Sequence, residues 1–272
     1  MLKAENGSIA VNNDCLDYVR FGSGQQALVM IPGLSDGLRT VKGLARPLSL
    51  SYRELGRDFT VYMFSRAASG KRQTTREMAA DLAAALTRLQ TGPCCILGVS
   101  MGGMIAQYLA LDHPELVEKL CLTVTAAGPN PTSRRVLERW IGLAQAGDYR
   151  ALMQDTADLS YTPARARLYR MVYQLPKAPG RPASFDRFIG QAEACLSHDA
   201  AEGLGAIDCP CLVIGGAEDR IVTAAASREL HRLIPGSRLV IYDGLGHAAY
   251  EEAKGFKALV RDFFLEGEEK TE

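Results

Sequence analysis

Cys94-Cys95-Ile96-Leu97-Gly98-Val99-Ser100-Met101-Gly102, continuing into Gly103-Met104-Ile105-Ala106-Gln107-Tyr108-Leu109-Ala110-Leu111, is the stretch whose reading decides the fold. Cys94 to Leu97 is a short apolar run bounded by Gly92-Pro93, which suits a fully buried strand. From Gly103 to Leu111 apolar residues keep helical spacing until Asp112-His113-Pro114 stops them. Between the two, Gly98-Val99-Ser100-Met101-Gly102 reads as a sharp strand-to-helix turn that presents a serine. Glycines two before and two after Ser100 let strand and helix pass closely. The G-x-S-x-G pattern alone is common, and its required context of strand, turn and helix is present here.

A serine hydroxyl attacks well only when a base takes its proton. The chain has four histidines, His113, His198, His231 and His247. His113 ends the helix after the serine and reads as a surface residue, and His231 lies in an amphipathic helix from Ala224 to Ile234. His198 closes a helical run from Phe185 to Ser197 without an assigned role. His247 differs: Gly244-Leu245-Gly246-His247 is a loop between a strand, Arg238 to Tyr242, and the final helical region. A base on a glycine-flanked loop after a late strand can reach a serine at a neighbouring strand end.

The base needs an orienting acid. Cys211-Leu212-Val213-Ile214-Gly215 is the preceding apolar strand, and it runs into Gly216-Ala217-Glu218-Asp219. Asp219 is the candidate acid, with Glu218 as the competing carboxylate. The strand from Lys119 to Val124 ends in Thr125-Ala126-Ala127-Gly128 without a carboxylate, which favours Asp219.

The order Ser100, Asp219, His247, each after a successive strand, resembles the α/β-hydrolase fold, and the resemblance covers nearly the whole chain. It implies an α/β fold with a mostly parallel eight-stranded sheet flanked by helices and a helical cap inserted after strand 6. Residues 1–128 and 199–272 would form the core and 129–198 the cap. Met30-Ile31-Pro32-Gly33-Leu34 resembles the turn after strand 3 that gives one oxyanion-hole amide, which implicates Leu34; Met101 would give the other. Pro32-Gly33 stands where the family often has His-Gly. Phe64-Ser65-Arg66-Ala67-Ala68-Ser69-Gly70 departs from the Asp-x-x-Gly-x-Gly-x-Ser turn of many relatives. A serine nucleophile also separates the chain from the aspartate-dependent dehalogenases and epoxide hydrolases.

Composition agrees. The 272 residues suffice for one α/β domain with an insertion, and 31 basic residues balance 31 acidic ones, so no global field favours nucleic acid or an anionic membrane. No apolar run approaches the length of a membrane span. Seven cysteines, several in expected strands (Cys94, Cys95, Cys121, Cys211), read as reduced and buried, as in a cytoplasmic protein. Neither a phosphate-binding glycine loop nor metal-ligand spacing appears, so no cofactor is implied.

Upstream, Ser8 to Val11 and Cys15 to Phe21, joined by Asn12-Asn13-Asp14, suit an antiparallel hairpin. Ala27 to Ile31 follows as a strand, then a helical stretch from Leu44 to Leu55 and a strand from Thr60 to Phe64. Thr74-Thr75-Arg76-Glu77 opens a helix that runs to Leu89. The strand–helix alternation breaks between Gly128 and about Asp199, where four helical runs are separated by Gly147-Asp148, Tyr161-Thr162-Pro163 and breakers from Pro176 to Pro182. Such breakers would let the helices shift as a lid. Trp140, Tyr161, Tyr169, Met171, Tyr173 and Phe188 could line an apolar acyl pocket or simply pack these helices; Trp140, Tyr161 and Tyr173 are the candidate substrate contacts. From Pro131 to Gly190 ten Lys and Arg face five acids, either a solvated helical face or an attraction for an anionic substrate.

The expected chemistry is hydrolysis of a small ester or thioester through an acyl-enzyme on Ser100, with a small acyl molecule as the partner. The same residues would also serve C–C hydrolysis or a lyase step, or a receptor-like binder with slow turnover.

Overall fold

The computed structural model describes residues 3–12, 14–174 and 180–267. Strands β1 (Ala4–Val11) and β2 (Asp14–Gly22) form a hairpin whose register runs from Ala4 opposite Phe21 to Val11 opposite Asp14. β1 starts four residues before the alternating pattern does. Glu5, Asn6 and Gly7 carry no apolar signal, and pairing with β2 extends the strand. β3 (Gln26–Ile31) leads to α1 (Ala45–Ser51) and α2 (Leu55–Asp58). The single helix expected from Leu44 to Leu55 is therefore two, divided where Tyr52 leaves the helical region at φ −111°, ψ 26°.

β4 (Phe59–Phe64) precedes α3 (Thr75–Leu89), which opens on a capping box. The Glu77 amide donates to Thr74 Oγ1 at 3.2 Å, and the Thr74 amide donates to Glu77 Oε2 at 2.7 Å. Then come β5 (Cys94–Val99), α4 (Met101–Asp112) and β6 (Val117–Thr123). Among the described residues, four α-helices follow before the next strand: α5 (Pro131–Gln145), α6 (Tyr149–Ser160), α7 (Pro163–Tyr173) and α8 (Asp186–Leu196). Gly147 turns between α5 and α6 at φ +68°, and Pro163 starts α7. Of the breakers expected from Pro176 to Pro182, residues 176–179 lie outside the described residues, as does Asn13 of the hairpin turn. The chain ends with β7 (Cys211–Gly216), α9 (Ala224–Leu233), β8 (Arg238–Tyr242), α10 (Ala249–Glu252) and α11 (Phe256–Leu265).

The eight strands lie in the order β1-β2-β4-β3-β5-β6-β7-β8. β2 is antiparallel to both neighbours, and every pair from β4 to β8 is parallel. A parallel strand covered on both faces has no solvent side, so β5 and β7 are buried at every residue. Successive residues feed opposite cores. Val29, Ile96 and Leu122 pack with α3, α4 and α8, whereas Leu28, Leu97 and Ile214 pack with Val260, Phe263 and Phe264 of α11. All seven cysteines are free, and five of them are buried.

Candidate active site

Ser100 sits between β5 and α4 with φ 54° and ψ −120°, a backbone state that costs a non-glycine residue on the order of 1–3 kcal/mol. Its amide donates to the Thr123 carbonyl of β6 at 2.9 Å, which pins the turn to the sheet. A Cβ on Gly98 would lie 2.7 Å from the Gly102 oxygen, and one on Gly102 would lie 2.0 Å from the Ile31 oxygen. Only glycines allow this crossing of strand, turn and helix.

The loops after β7 and β8 bring the other two candidates to this serine. The Ser100 hydroxyl lies 2.9 Å from His247 Nε2, and His247 Nδ1 lies 2.8 Å from Asp219 Oδ2. The second oxygen of Asp219 accepts the amides of Ile221 and Val222 at 2.8 and 3.0 Å. Burial alone would raise the Asp219 carboxyl, but the His247 ring and these two amides outweigh it and hold it below its ordinary value. Glu218 is exposed; only its amide joins the site region, donating to Leu245 O at 2.8 Å. Next to His247, the Ala248 amide donates to the Ser160 carbonyl at the end of α6, at 2.9 Å.

Leu34 and Met101 each begin a helical turn, Leu34–Gly37 and α4 respectively. The first amides of a helical turn have no intrahelical acceptor, so both are available to an anionic oxygen.

Above Ser100 lies a cavity of about 270 Å³ between the sheet and the helical insert. Trp140, Tyr161, Tyr169, Tyr173 and Phe188 line it together with Gly33, Leu34, Ser100 and His247. Met171 does not line it; it points outward on α7 and is 55% exposed. Trp140 is buried, and its Nε1 donates to Asp155 at 2.9 Å. Sequence reasoning missed two cavity residues on α10, Tyr250 and Glu251, which follow His247 without any apolar run to mark them. The Tyr161 hydroxyl donates to Glu251 Oε2 at 2.9 Å.

The basic excess of the insert does not enter the cavity, where no lysine or arginine is found among the described lining residues. Arg139 pairs with Asp155, Arg170 with Asp158, Arg187 with Asp36, and Arg165 with the cavity residue Glu251 at 3.8 Å, while Arg134, Arg135, Arg150, Arg167 and Arg181 are solvent-facing. Lys177 lies outside the described residues.

His198 has a structural place. Buried behind α4, it meets Thr75 Oγ1 through Nδ1 at 2.9 Å and Gln107 Oε1 through Nε2 at 3.4 Å. Burial lowers its pKa to about 4, against a small opposing pull from Asp199. His113 is partly exposed, and His231 shares a 3.0 Å hydrogen bond with Ser237. Among the described residues no three His, Cys, Asp or Glu side chains are grouped to hold a metal, and no helix is long and apolar enough to cross a membrane.

The model of the alpha/beta hydrolase fold family matches residues 26–254. Pimeloyl-[acyl-carrier protein] methyl ester esterase of Neisseria meningitidis serogroup C is 36% identical over 198 residues, which cover 69% of this chain and 74% of that protein. The crystal structure of MGS-M2, an alpha/beta hydrolase enzyme from a Medee basin deep-sea metagenome library, superposes with a TM-score of 0.81 at 19% identity, covering 96% of this chain and 98% of that one. The enol-lactonase from Burkholderia xenovorans LB400 gives 0.77 at 24% identity, covering 96% and 100%. At such identities these two structures share the fold. With its sheet order, its helical insert after β6 and the match over residues 26–254, this chain belongs to the alpha/beta hydrolase fold family.

Proposed function

We propose that this chain is a serine hydrolase that cleaves a small carboxylic ester or thioester through an acyl-enzyme on Ser100. The observation that carries the reading is the single imidazole bridging Ser100 Oγ at 2.9 Å and Asp219 Oδ2 at 2.8 Å. The 36% identity to a methyl ester esterase supports an ester as the substrate class.

In this reading Ser100 Oγ attacks the acyl carbonyl as His247 Nε2 takes its proton, and Asp219 holds the imidazole tautomer and stabilises the imidazolium. The Leu34 and Met101 amides hold the developing oxyanion, each contributing about 3 kcal/mol. His247 then protonates the leaving alcohol or thiol, and later takes a proton from the water that releases the acid. These steps use only groups of this chain and water. Residues 1–128 and 199–272 carry the chemistry, while 129–198 act as a cap that selects the acyl group through Trp140, Tyr161 and Tyr173.

A fluorophosphonate label together with a panel of p-nitrophenyl esters, thioesters and lactones tests the reading. The expected result is labelling at Ser100, abolished in Ser100→Ala, with a p-nitrophenol burst followed by rapid turnover. Labelling elsewhere, at Ser35 or Ser65, refutes the nucleophile. A burst without turnover points to a slow, receptor-like binder, and neither burst nor turnover points to C–C cleavage or a lyase step.

A further inference from the structure

Resting on that reading, we propose that Arg66 is a positioning residue that aims the Leu34 amide at the reacting oxygen, and that helix α8 holds Arg66 in place through Asp36, Arg187 and Gln191.

Arg66 lies just after β4, in the segment that departs from the family turn, and is only 5% exposed. A guanidinium taken out of water is costly unless its donors find acceptors, so where they point is informative. Nη1 donates to the Pro32 carbonyl at 2.6 Å, and Nη2 to the Gly33 carbonyl at 2.6 Å. One rigid planar fork thus takes two consecutive carbonyls of the turn that leads to Leu34. Nη2 also meets Met101 Sδ at 3.8 Å, so the same group touches the residue that bears the other proposed oxyanion amide.

The Gly33 carbonyl and the Leu34 N–H are opposite edges of one planar trans peptide. Fixing the oxygen therefore fixes the direction of the N–H. The restraint matters because Gly33 has no side chain to oppose rotation of that plane. The Asp36 amide also donates to the Gly33 oxygen, at the longer distance of 3.2 Å.

The insert supports the fork from behind. Gln191 Oε1 accepts from Arg66 Nη2 at 2.9 Å, and Asp36 Oδ2 lies 3.4 Å from Arg66 Nε. Arg187, one helical turn before Gln191 on α8, donates to the same Asp36 oxygen at 2.9 Å and to the Asp36 carbonyl at 2.8 Å. A Cβ on Gly37 would lie 2.7 Å from the Phe188 Cα, so helix and turn are in backbone contact. Two guanidinium groups share one carboxylate here, which leaves positive charge behind the turn where the oxyanion would form.

The test compares Arg66→Met, Arg66→Lys, Arg187→Gln and Gln191→Met with the wild type. For each, kcat and KM are measured on a short p-nitrophenyl ester, with Tm and the Ki of a trifluoromethyl ketone whose hemiketal oxygen mimics the oxyanion. Arg66→Met is expected to lose about 10²–10³ in kcat, as for removal of one oxyanion donor, with KM within about twofold. The ketone Ki should weaken in parallel, and Arg66→Lys should recover part of both. Arg187→Gln and Gln191→Met should each move kcat and Ki together by about 3–10-fold, a small fraction of one lost donor. A folded Arg66→Met with wild-type kcat and Ki overturns the inference. Should Arg66→Met not fold, unchanged kcat and Ki in both α8 variants overturn it instead. Failure of the wild type to label at Ser100 or to hydrolyse any ester removes the parent reading and this inference with it, and is distinguished by occurring before any substitution.

Discussion

A Cβ on Gly216 would lie 2.3 Å from the carbonyl oxygen of Gly246, so the strand end leading to Asp219 and the loop leading to His247 meet backbone to backbone. No other residue type fits at that contact. Gly216→Ala should therefore push the two loops apart, destabilise the fold by about 1–3 kcal/mol as overpacking does, and lower turnover at least tenfold. Thermal unfolding and ester kinetics on the one variant check both parts; normal turnover would mean the loops can separate without disturbing the His247–Asp219 contact.

Asp219→Asn should leave the fold intact and reduce turnover by about 10⁴-fold, because the amide no longer fixes the imidazole tautomer. Glu218→Gln should be close to wild type, since the Glu218 side chain is exposed. Steady-state kinetics of the pair decide the matter, and a more damaging Glu218→Gln would move the acid one residue upstream.

His198 predicts an acid sensitivity that has nothing to do with catalysis. Its folded pKa, about 4, is below the ordinary histidine value, so the unfolded chain binds the extra proton more readily. Its contribution is complete above about pH 6.5 and is lost as pH falls toward 4, by roughly 3 kcal/mol across the window. Urea midpoints measured from pH 7 to pH 4 should fall for the wild type and fall less for His198→Gln. Parallel curves for the two proteins would show that His198 is not the sensor.

Trp140→Ala and Tyr173→Ala should alter the ratio of kcat/KM between short and long acyl esters, by up to ~10–200-fold for a well-fitted contact, while Ser100 labelling survives. Asp155 keeps its 2.7 Å partner Arg139 when Trp140 is removed, so the helix pair should remain folded. Parallel losses on every chain length would assign these rings to packing within the insert.

The parts of the fold that could be read from sequence are those where one local pattern suffices. β8 is bounded by residues 238 and 242 both in the pattern and in the structure, and β5 and β7 announce themselves as continuous apolar runs closed by glycine. β1 was half visible, because its first residues are polar and owe their pairing to β2. Ser100, Asp219 and His247 stood out through their positions after β5, β7 and β8. Arg66 and His198 did not, because their partners lie far away in sequence: Gln191 is 125 positions from Arg66, and Thr75 is 123 from His198. No spacing rule reports such contacts, and for Glu251 the nearest signal is only its place four residues after His247.

The hydrogen bond from the Ala248 amide to the Ser160 carbonyl bears on how such a scaffold can be diversified. The histidine loop is moored on one side to the loop after β7, by Glu218, and on the other to the last residue of an insert helix. A graft that replaces residues 129–198 wholesale must therefore bring a carbonyl to the same point, or the loop that carries His247 is loosened. Exchanging side chains along the inner faces of α5 and α7 carries no such obligation, because the mooring is made by backbone and is blind to side-chain identity. Diversity in this architecture should accordingly accumulate ring by ring on fixed helices rather than by exchange of whole modules.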